Sequence, residues 1–329
     1  MGNVWLHRYS LLVAVCILLL VIAGGLVTSN DAALSIPDWP LSFGKLVPPL
    51  EGGIRFEFAH RMLAAVVALL TLILAFWLEA VEPRVALAVL PPAWSWLRRL
   101  GWAAVATVVA QALLGGAAVR FVDPKPLSIA HACLAQLCFG IVVAFCVLSG
   151  TDDRFLSSVS GRNGANRGGP AQGRLTDDKN RSSVPLTPLI AATAVLLQTG
   201  LGAAVRHHAT SVIPHIAGAA VLVVLVMWAG LQILIRNMEN PLPRRSDVRA
   251  VWVTFALTFL QVFLGLGAYM SRIATADHPQ PMPLMVFFTV AHVAAGSLAF
   301  GAAVALALIV YRDARPVDTV LAPGGMALA

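Results

Sequence analysis

The chain reads as an all-α integral membrane protein with eight transmembrane helices, arranged as two four-helix bundles related by an internal parallel repeat. Three observations carry that expectation: eight long apolar runs, a mean hydropathy of +0.80 with only 12% charged residues, and short strings that recur at matching positions in the two halves. A soluble domain carries about a quarter of its residues charged, so the composition excludes an ordinary soluble globule. Spanning the hydrocarbon takes ~20 apolar residues. Runs of that length lie at 10–29, 57–79, 100–119, 128–149, 186–205, 213–235, 250–270 and 286–311.

The first run lacks an A-x-A cleavage site and is followed by further spans, so it is expected to stay as the first helix rather than act as a signal peptide. The segment Val85 to Leu97 is apolar but interrupted by Pro91-Pro92 and carries Trp94 and Trp96. Those features suit a stretch lying on the membrane better than a span. Thr151 to Pro185 is rich in Gly, Arg, Asn, Ser and Asp without periodicity and reads as a flexible linker. The chain therefore divides into an N-terminal bundle at 1–150, a linker at 151–185, a C-terminal bundle at 186–311 and a loose tail at 312–329.

The net charge of +7 is distributed by side of the membrane rather than on one binding face, which argues against a nucleic-acid partner. Placing both termini and the loops after the second, fourth and sixth helices on one side collects 16 of the 23 Lys and Arg residues. By the positive-inside rule that side is cytoplasmic. The expected location is a bacterial-type inner membrane, crossed several times, with lipid as the surrounding partner. Lys45, Arg55, Arg61, Arg120, Lys125, Arg206 and Arg272 remain for the outer side.

Gly-Ala-Ala-Val-Arg occurs at 116–120, closing the third span, and at 202–206, closing the fifth. Gln-x-x-x-Gly recurs at Gln111/Gly115, Gln198/Gly202 and Gln261/Gly265, while the first span has Gly24-Gly25 without the glutamine. Each half holds an even number of spans, so two copies share orientation and are related by an axis along the membrane normal. The glycines admit two uses: close helix approach, or room for a flat macrocycle.

His60, His131, His215 and His292 each stand near the start of an even-numbered span, at matching depths in the two halves. A single histidine at a helix end is commonly just a satisfied polar residue. Four in register, in segments where polar groups are costly, favour axial ligation of two haem irons. Neutral imidazoles without a cysteine or carboxylate cluster suit haem better than zinc. Cys16, Cys133, Cys138 and Cys146 all fall inside apolar runs and form no Cys-x-x-Cys-His motif, so no covalent haem attachment is expected. His7, His207, His208 and His278 have no repeat partner and read as surface residues. Arg120, Arg206 and Arg272 are the foremost candidates to pair with haem propionates, the competing use of each being simple snorkelling at a helix end.

One position breaks the repeat. Three residues before His60 stands Glu57, where the other three histidines have Ser128, Val212 and Thr289. Residues i and i+3 share a helix face, so Glu57 is expected to point toward the group that His60 binds. Its alternative use is to complement the helix dipole in the first turn.

Gly-Gly-Leu-Val-Thr-Ser at 24–29, Asp38-Trp39-Pro40, Glu57-Phe58-Ala59-His60-Arg61, the two Gly-Ala-Ala-Val-Arg strings with His131 and His215, and Ala291-His292 together resemble the haem A synthase family. The resemblance runs through all eight spans. It implies oxidation of the C8 methyl of haem O to a formyl group, giving haem A for terminal oxidases. It also implies haem b on His215 and His292, and substrate haem O on His60 and His131, with Arg61 beside the substrate and Glu57 essential. The implied partners are a haem O synthase that supplies the substrate and an electron donor or acceptor; a homo-oligomer is compatible with the family. Some members carry a cysteine pair in the first outer loop, and here that loop, Asn30 to Phe56, has none, so a thiol role does not transfer. Its Pro37, Trp39, Pro40, Pro48 and Pro49 suit a stiff lid or interfacial element.

Two routes stand for the chemistry. Either His60 or His131 releases the iron for oxygen, or electrons leave the macrocycle and water adds, with Glu57 as general base. Two other classes of function share some of these features. A membrane dihaem electron carrier would use the four histidines without needing Glu57, and a transporter would use the repeats without needing four registered imidazoles.

Overall fold

The computed structural model describes residues 4–80, 91–150, 186–240 and 244–314. Among them are eight helices: α1 (Val4–Ser29), α2 (Ile54–Ala80), α3 (Pro91–Arg120), α4 (Lys125–Ser149), α5 (Thr187–Arg206), α6 (Ile213–Glu239), α7 (Arg245–Ala274) and α8 (Pro283–Ala314). All eight are long and apolar enough to cross a membrane. The linker expected at 151–185 and the tail from 315 lie outside the described residues, as do 81–90.

Most helices outrun the apolar windows that announce them. α1 starts at Val4, α7 takes in Arg245 and Arg249, and α4 starts at Lys125, because backbone helicity continues into the interface where long cationic side chains reach water. The interfacial segment expected at 85–97 needs correction over its described part. From Pro91 onward it is the first turns of α3, since proline is well tolerated where the helix N–H groups have no partner anyway.

Neighbouring helices repeat one pattern in each half. α1 packs on α2, α2 on α3, α3 on α4 and α4 back on α1; α5 to α8 close in the same order. The halves meet where α8 lies against α1 and α4, and where α4 lies against α5. Val13, Ile17, Val67, Cys138, Phe139 and Val142 form a buried cluster within the first set, and Val226, Ala229, Ile233, Val251 and Phe255 within the second. Large apolar side chains such as Leu12, Val224 and Phe263 stay exposed on the outer helix faces, the arrangement a hydrocarbon solvent rewards.

The α4–α8 contact is reciprocal. A Cβ on Gly140 would strike the Phe300 ring, and one on Gly301 would strike the Phe139 ring. Close by, the Gln136 amide donates to the Ser297 hydroxyl at 2.9 Å, both side chains being buried. Gln136 and Ser297 are 161 residues apart, and the same step takes His131 to His292, Phe139 to Phe300 and Gly140 to Gly301.

The two Gly-Ala-Ala-Val-Arg strings end their helices in the same turn. After α3, Asp123 N–H bonds Ala118 C=O and Val122 N–H bonds Val119 C=O; after α5, Ala209 N–H bonds Ala204 C=O and His208 N–H bonds Val205 C=O. This is the paired hydrogen-bond closure of a Schellman motif. Its left-handed position falls on Val122 (φ 59°) and His208 (φ 52°) rather than on glycine, a strained choice. In the first turn Asp123 is also left-handed (φ 53°), and its carboxylate accepts the Ser128 hydroxyl. That bond ties the turn to the start of the helix that carries His131.

Candidate functional site: two paired histidines and a clamped loop

The even helices begin, and the odd helices end, on one face of the molecule, and that end holds all four repeat histidines. His60 of α2 faces His131 of α4 with ring centroids 6.5 Å apart. His215 of α6 faces His292 of α8 with centroids 6.1 Å apart. The fold thus brings together the two pairs that the repeat spacing singles out. An iron bound by one imidazole nitrogen from each side, at ~2 Å per bond, separates ring centroids by about 6 Å. Among the described residues no three His, Cys, Asp or Glu side chains group as a metal site.

Each histidine is seated on a glycine of the preceding odd helix. A Cβ at Gly24 would lie 3.2 Å from His60 Cε1, at Gly115 3.3 Å from His131 Cε1, at Gly202 3.0 Å from His215 Cε1, and at Gly265 2.8 Å from His292 Cε1. The glutamine one turn earlier holds the same histidine from the side. Gln111 Nε2 donates to the His131 carbonyl at 2.8 Å. Gln198 Nε2 donates to the His215 carbonyl at 2.6 Å and lies 3.0 Å from its Nδ1. Gln261 Nε2 is 3.3 Å from His292 Nε2, and its backbone carbonyl is 3.1 Å from His292 Nδ1. The Gln-x-x-x-Gly repeat is therefore the socket of an imidazole, with Leu20 in the glutamine's place on α1.

Two buried polar atoms around the pairs, Gln111 Oε1 and Gln261 Oε1, have no hydrogen-bond partner. Buried polar groups are nearly always satisfied, so each of these amide oxygens has capacity to accept a hydrogen bond from a bound group.

Glu57 sits in the first turn of α2 and is 6% exposed. Both of its carboxylate oxygens are engaged. Oε1 accepts from Arg61 Nη2 at 2.6 Å, an i, i+4 ion pair, and Oε2 accepts from the Ile36 backbone N–H at 2.9 Å. Arg61 goes further into the α1–α2 loop. Its Nη1 donates to the carbonyls of Asp38 (2.8 Å) and Leu41 (3.0 Å), and its Nη2 to that of Ile36 (3.3 Å). Arg61, expected beside the substrate, is thus directed onto the loop, and so is the carboxylate of Glu57. Within the loop Asp38 accepts the N–H groups of Phe43 (2.6 Å) and Gly44 (2.8 Å); these hold its carboxyl below the usual carboxylate range. Ala32 and Ile36 are fully buried, so the loop has a small core of its own.

Trp39, at the loop's tip, packs over Gly116 of α3: a Cβ there would lie 2.7 Å from the indole ring. Gly116 adjoins Gly115, the seat of His131. A cavity of about 470 Å³ opens at this place, lined by Trp39, Leu113, Gly116 and Arg120 among others. Arg120 and Arg272 are exposed at the histidine end, and Arg206 is half-buried within electrostatic reach of Arg272 and Asp31. His208 is exposed as expected, its carbonyl accepting Lys125 Nζ at 2.7 Å. His207 departs from the expectation of a surface residue. It is half-buried in the turn after α5, near Asp123 of the other half, and burial pushes its imidazole below the usual histidine range.

Residues 7–58 match the family model of a cytochrome oxidase assembly protein. The chain is 28% identical over 158 residues to the haem A synthase of Alkalihalophilus pseudofirmus, across 45% of this chain and 48% of that protein. It is 30% identical over 150 residues to that of Symbiobacterium thermophilum (45% and 46%) and 32% identical over 153 residues to that of a Methylobacterium species (42% and 40%). The match spans about half the length of these curated relatives. Over that half, then, the chain is similar to proteins named haem A synthase, and its residues 7–58 to a cytochrome oxidase assembly protein.

Proposed function

We propose that the chain oxidises the C8 methyl of haem O to a formyl group, giving haem A, with the N-terminal half as the substrate site and the C-terminal half as a haem b site. The observation that carries this reading is the asymmetry between two otherwise equivalent histidine pairs. Both have the ring separation that two imidazoles on one iron would have, but only the His60/His131 pair has an acid one turn from a histidine and a long loop clamped beside it. The chain's similarity to named haem A synthases supports the same assignment. The reciprocal Phe139/Gly301 and Phe300/Gly140 packing, at one constant step in sequence, supports two four-helix bundles related by a two-fold repeat, since a two-fold interface makes residue contacts in matching pairs.

In this reading His215 and His292 ligate haem b, which when bound supplies one-electron redox chemistry. Gln198 and Gln261 orient these imidazoles, as ligand-orienting partners do at metal sites. Arg206 and Arg272 lie where a propionate edge at the histidine end would meet cations, and Arg120 serves the other half. His60 and His131 position the substrate, and Glu57, one turn from His60, is the acid that takes up a proton there on exchanging its contacts with Arg61 and the Ile36 N–H. In this reading the histidine end faces outward, by the positive-inside rule applied to the Arg98, Arg99, Arg236, Arg244, Arg245 and Arg249 that stand toward the other ends of their helices.

The test is conversion. Membranes from a host that makes haem O but no haem A, supplied with this chain, are expected to accumulate haem A identified by mass. Unchanged haem O in membranes that contain the folded protein refutes the assignment and leaves an electron carrier as the better reading.

A further inference from the structure

We propose that Arg61 is a positioning residue that locks the α1–α2 loop as a lid over the His60/His131 pair, and that this lid sets how slowly the haem held there escapes. The inference rests on the substrate-site reading above. Arg61 adjoins His60 in sequence, and its two terminal nitrogens reach three loop carbonyls, Ile36, Asp38 and Leu41, besides the Glu57 carboxylate. The carboxylate in turn takes the Ile36 N–H. One planar fork therefore holds both ends of a short loop segment against the first turns of α2, a geometry a lysine ammonium cannot reproduce.

The segment so held carries Trp39, whose ring rests on Gly116, beside the glycine that seats His131. The lid thus bridges two of the four helices that build this site, α2, which carries His60, through Arg61 and α3, which carries Gly115, through Trp39. Among the described residues of the C-terminal half there is no equivalent: Ile216 and Val293 follow His215 and His292, and the connections 207–212 and 275–282 are short. A resident electron-carrying haem needs no exit path. A substrate that must enter and leave as product needs a door that stays shut during reaction.

The experiment uses the purified, haem-loaded full chain and follows transfer of its haem to excess apomyoglobin, with hydrogen exchange of the 30–53 segment read in parallel. Arg61→Gln and Trp39→Ala are expected to speed release of the N-terminal haem by about tenfold or more, the scale of losing a few charge-assisted hydrogen bonds. The low-spin signal of the C-terminal haem should not change, which also reports that each variant is folded. Arg61→Gln should raise exchange at the Ile36 amide, whereas Trp39→Ala leaves that bond in place. Arg61→Lys keeps the charge beside Glu57 but not the fork, and is expected to release haem nearly as fast as Arg61→Gln. Wild-type release from Arg61→Lys, or unchanged release from Arg61→Gln, overturns the positioning role. A wild-type protein with no transferable haem overturns the substrate-site reading itself, and the exchange data then still show whether the clamp exists.

Discussion

Replacing either His215 or His292 with Ala should abolish the low-spin haem b signal of the purified protein. The two rings face each other at 6.1 Å, and no third His, Cys, Asp or Glu joins them among the described residues, so nothing near is placed to substitute for a lost imidazole. The loss expected in bound haem is about a hundredfold or more, since removing only a ligand's orienting partner already costs 10–100-fold in metal affinity. Gly265→Val should produce part of the same defect without touching a ligand. Even a Cβ would stand 2.8 Å from His292 Cε1, and forcing bulk into a packed contact costs about 1–3 kcal/mol. The imidazole must then move or the helices must part. Absorption and electron paramagnetic resonance spectra of the variants decide it, and unchanged spectra in both Ala variants would remove the C-terminal pair as the haem b site.

Glu57→Gln should leave that haem b signal intact and lower haem A formation by about a hundredfold or more, the usual contribution of a positioned proton-transfer group. The side chain's two hydrogen-bonded oxygens complicate a simple comparison. A glutamine amide can accept from Arg61 or from the Ile36 N–H but not from both, so this variant also loosens the loop. Arg61→Gln loosens the loop and keeps the carboxylate. If Glu57 moves protons, Glu57→Gln falls well below Arg61→Gln in haem A yield, and haem O or a hydroxylated haem accumulates in its place. Equal activities in the two variants would assign Glu57 to holding the loop, and haem A made at the normal rate by Glu57→Gln would leave it as a first-turn acid and loop anchor.

Hydropathy made the eight helices legible, because a span must hide its backbone and can do so only with a long apolar run. The histidine pairing was legible for a related reason: the four imidazoles recur in step with the spans. The sockets were not. Gln-x-x-x-Gly is visible as a repeat, but Gly24, Gly115, Gly202 and Gly265 meet their histidines across loops of different length, so no constant spacing reveals the contact. Glu57 and Arg61 stand at i and i+4, a readable ion pair. What their side chains hold is a set of loop backbone groups at Ile36, Asp38 and Leu41, and backbone groups leave no signature in sequence. The prolines 91 and 92 signal a break equally well as a helix start, and only the backbone path of α3 distinguishes the two. His207 is half-buried because the turn after α5 folds toward Asp123, a long-range contact that no local pattern announces.

The most direct measurement of the central claim is the pigment content of the purified protein, extracted without covalent cleavage and identified by mass. Two chemically different haems are expected from one chain: haem b, retained when His60 or His131 is replaced, and haem O or haem A, lost in those variants. Haem b alone at both histidine pairs, or no haem at all, would contradict the division of the molecule into a substrate half and an electron-carrying half.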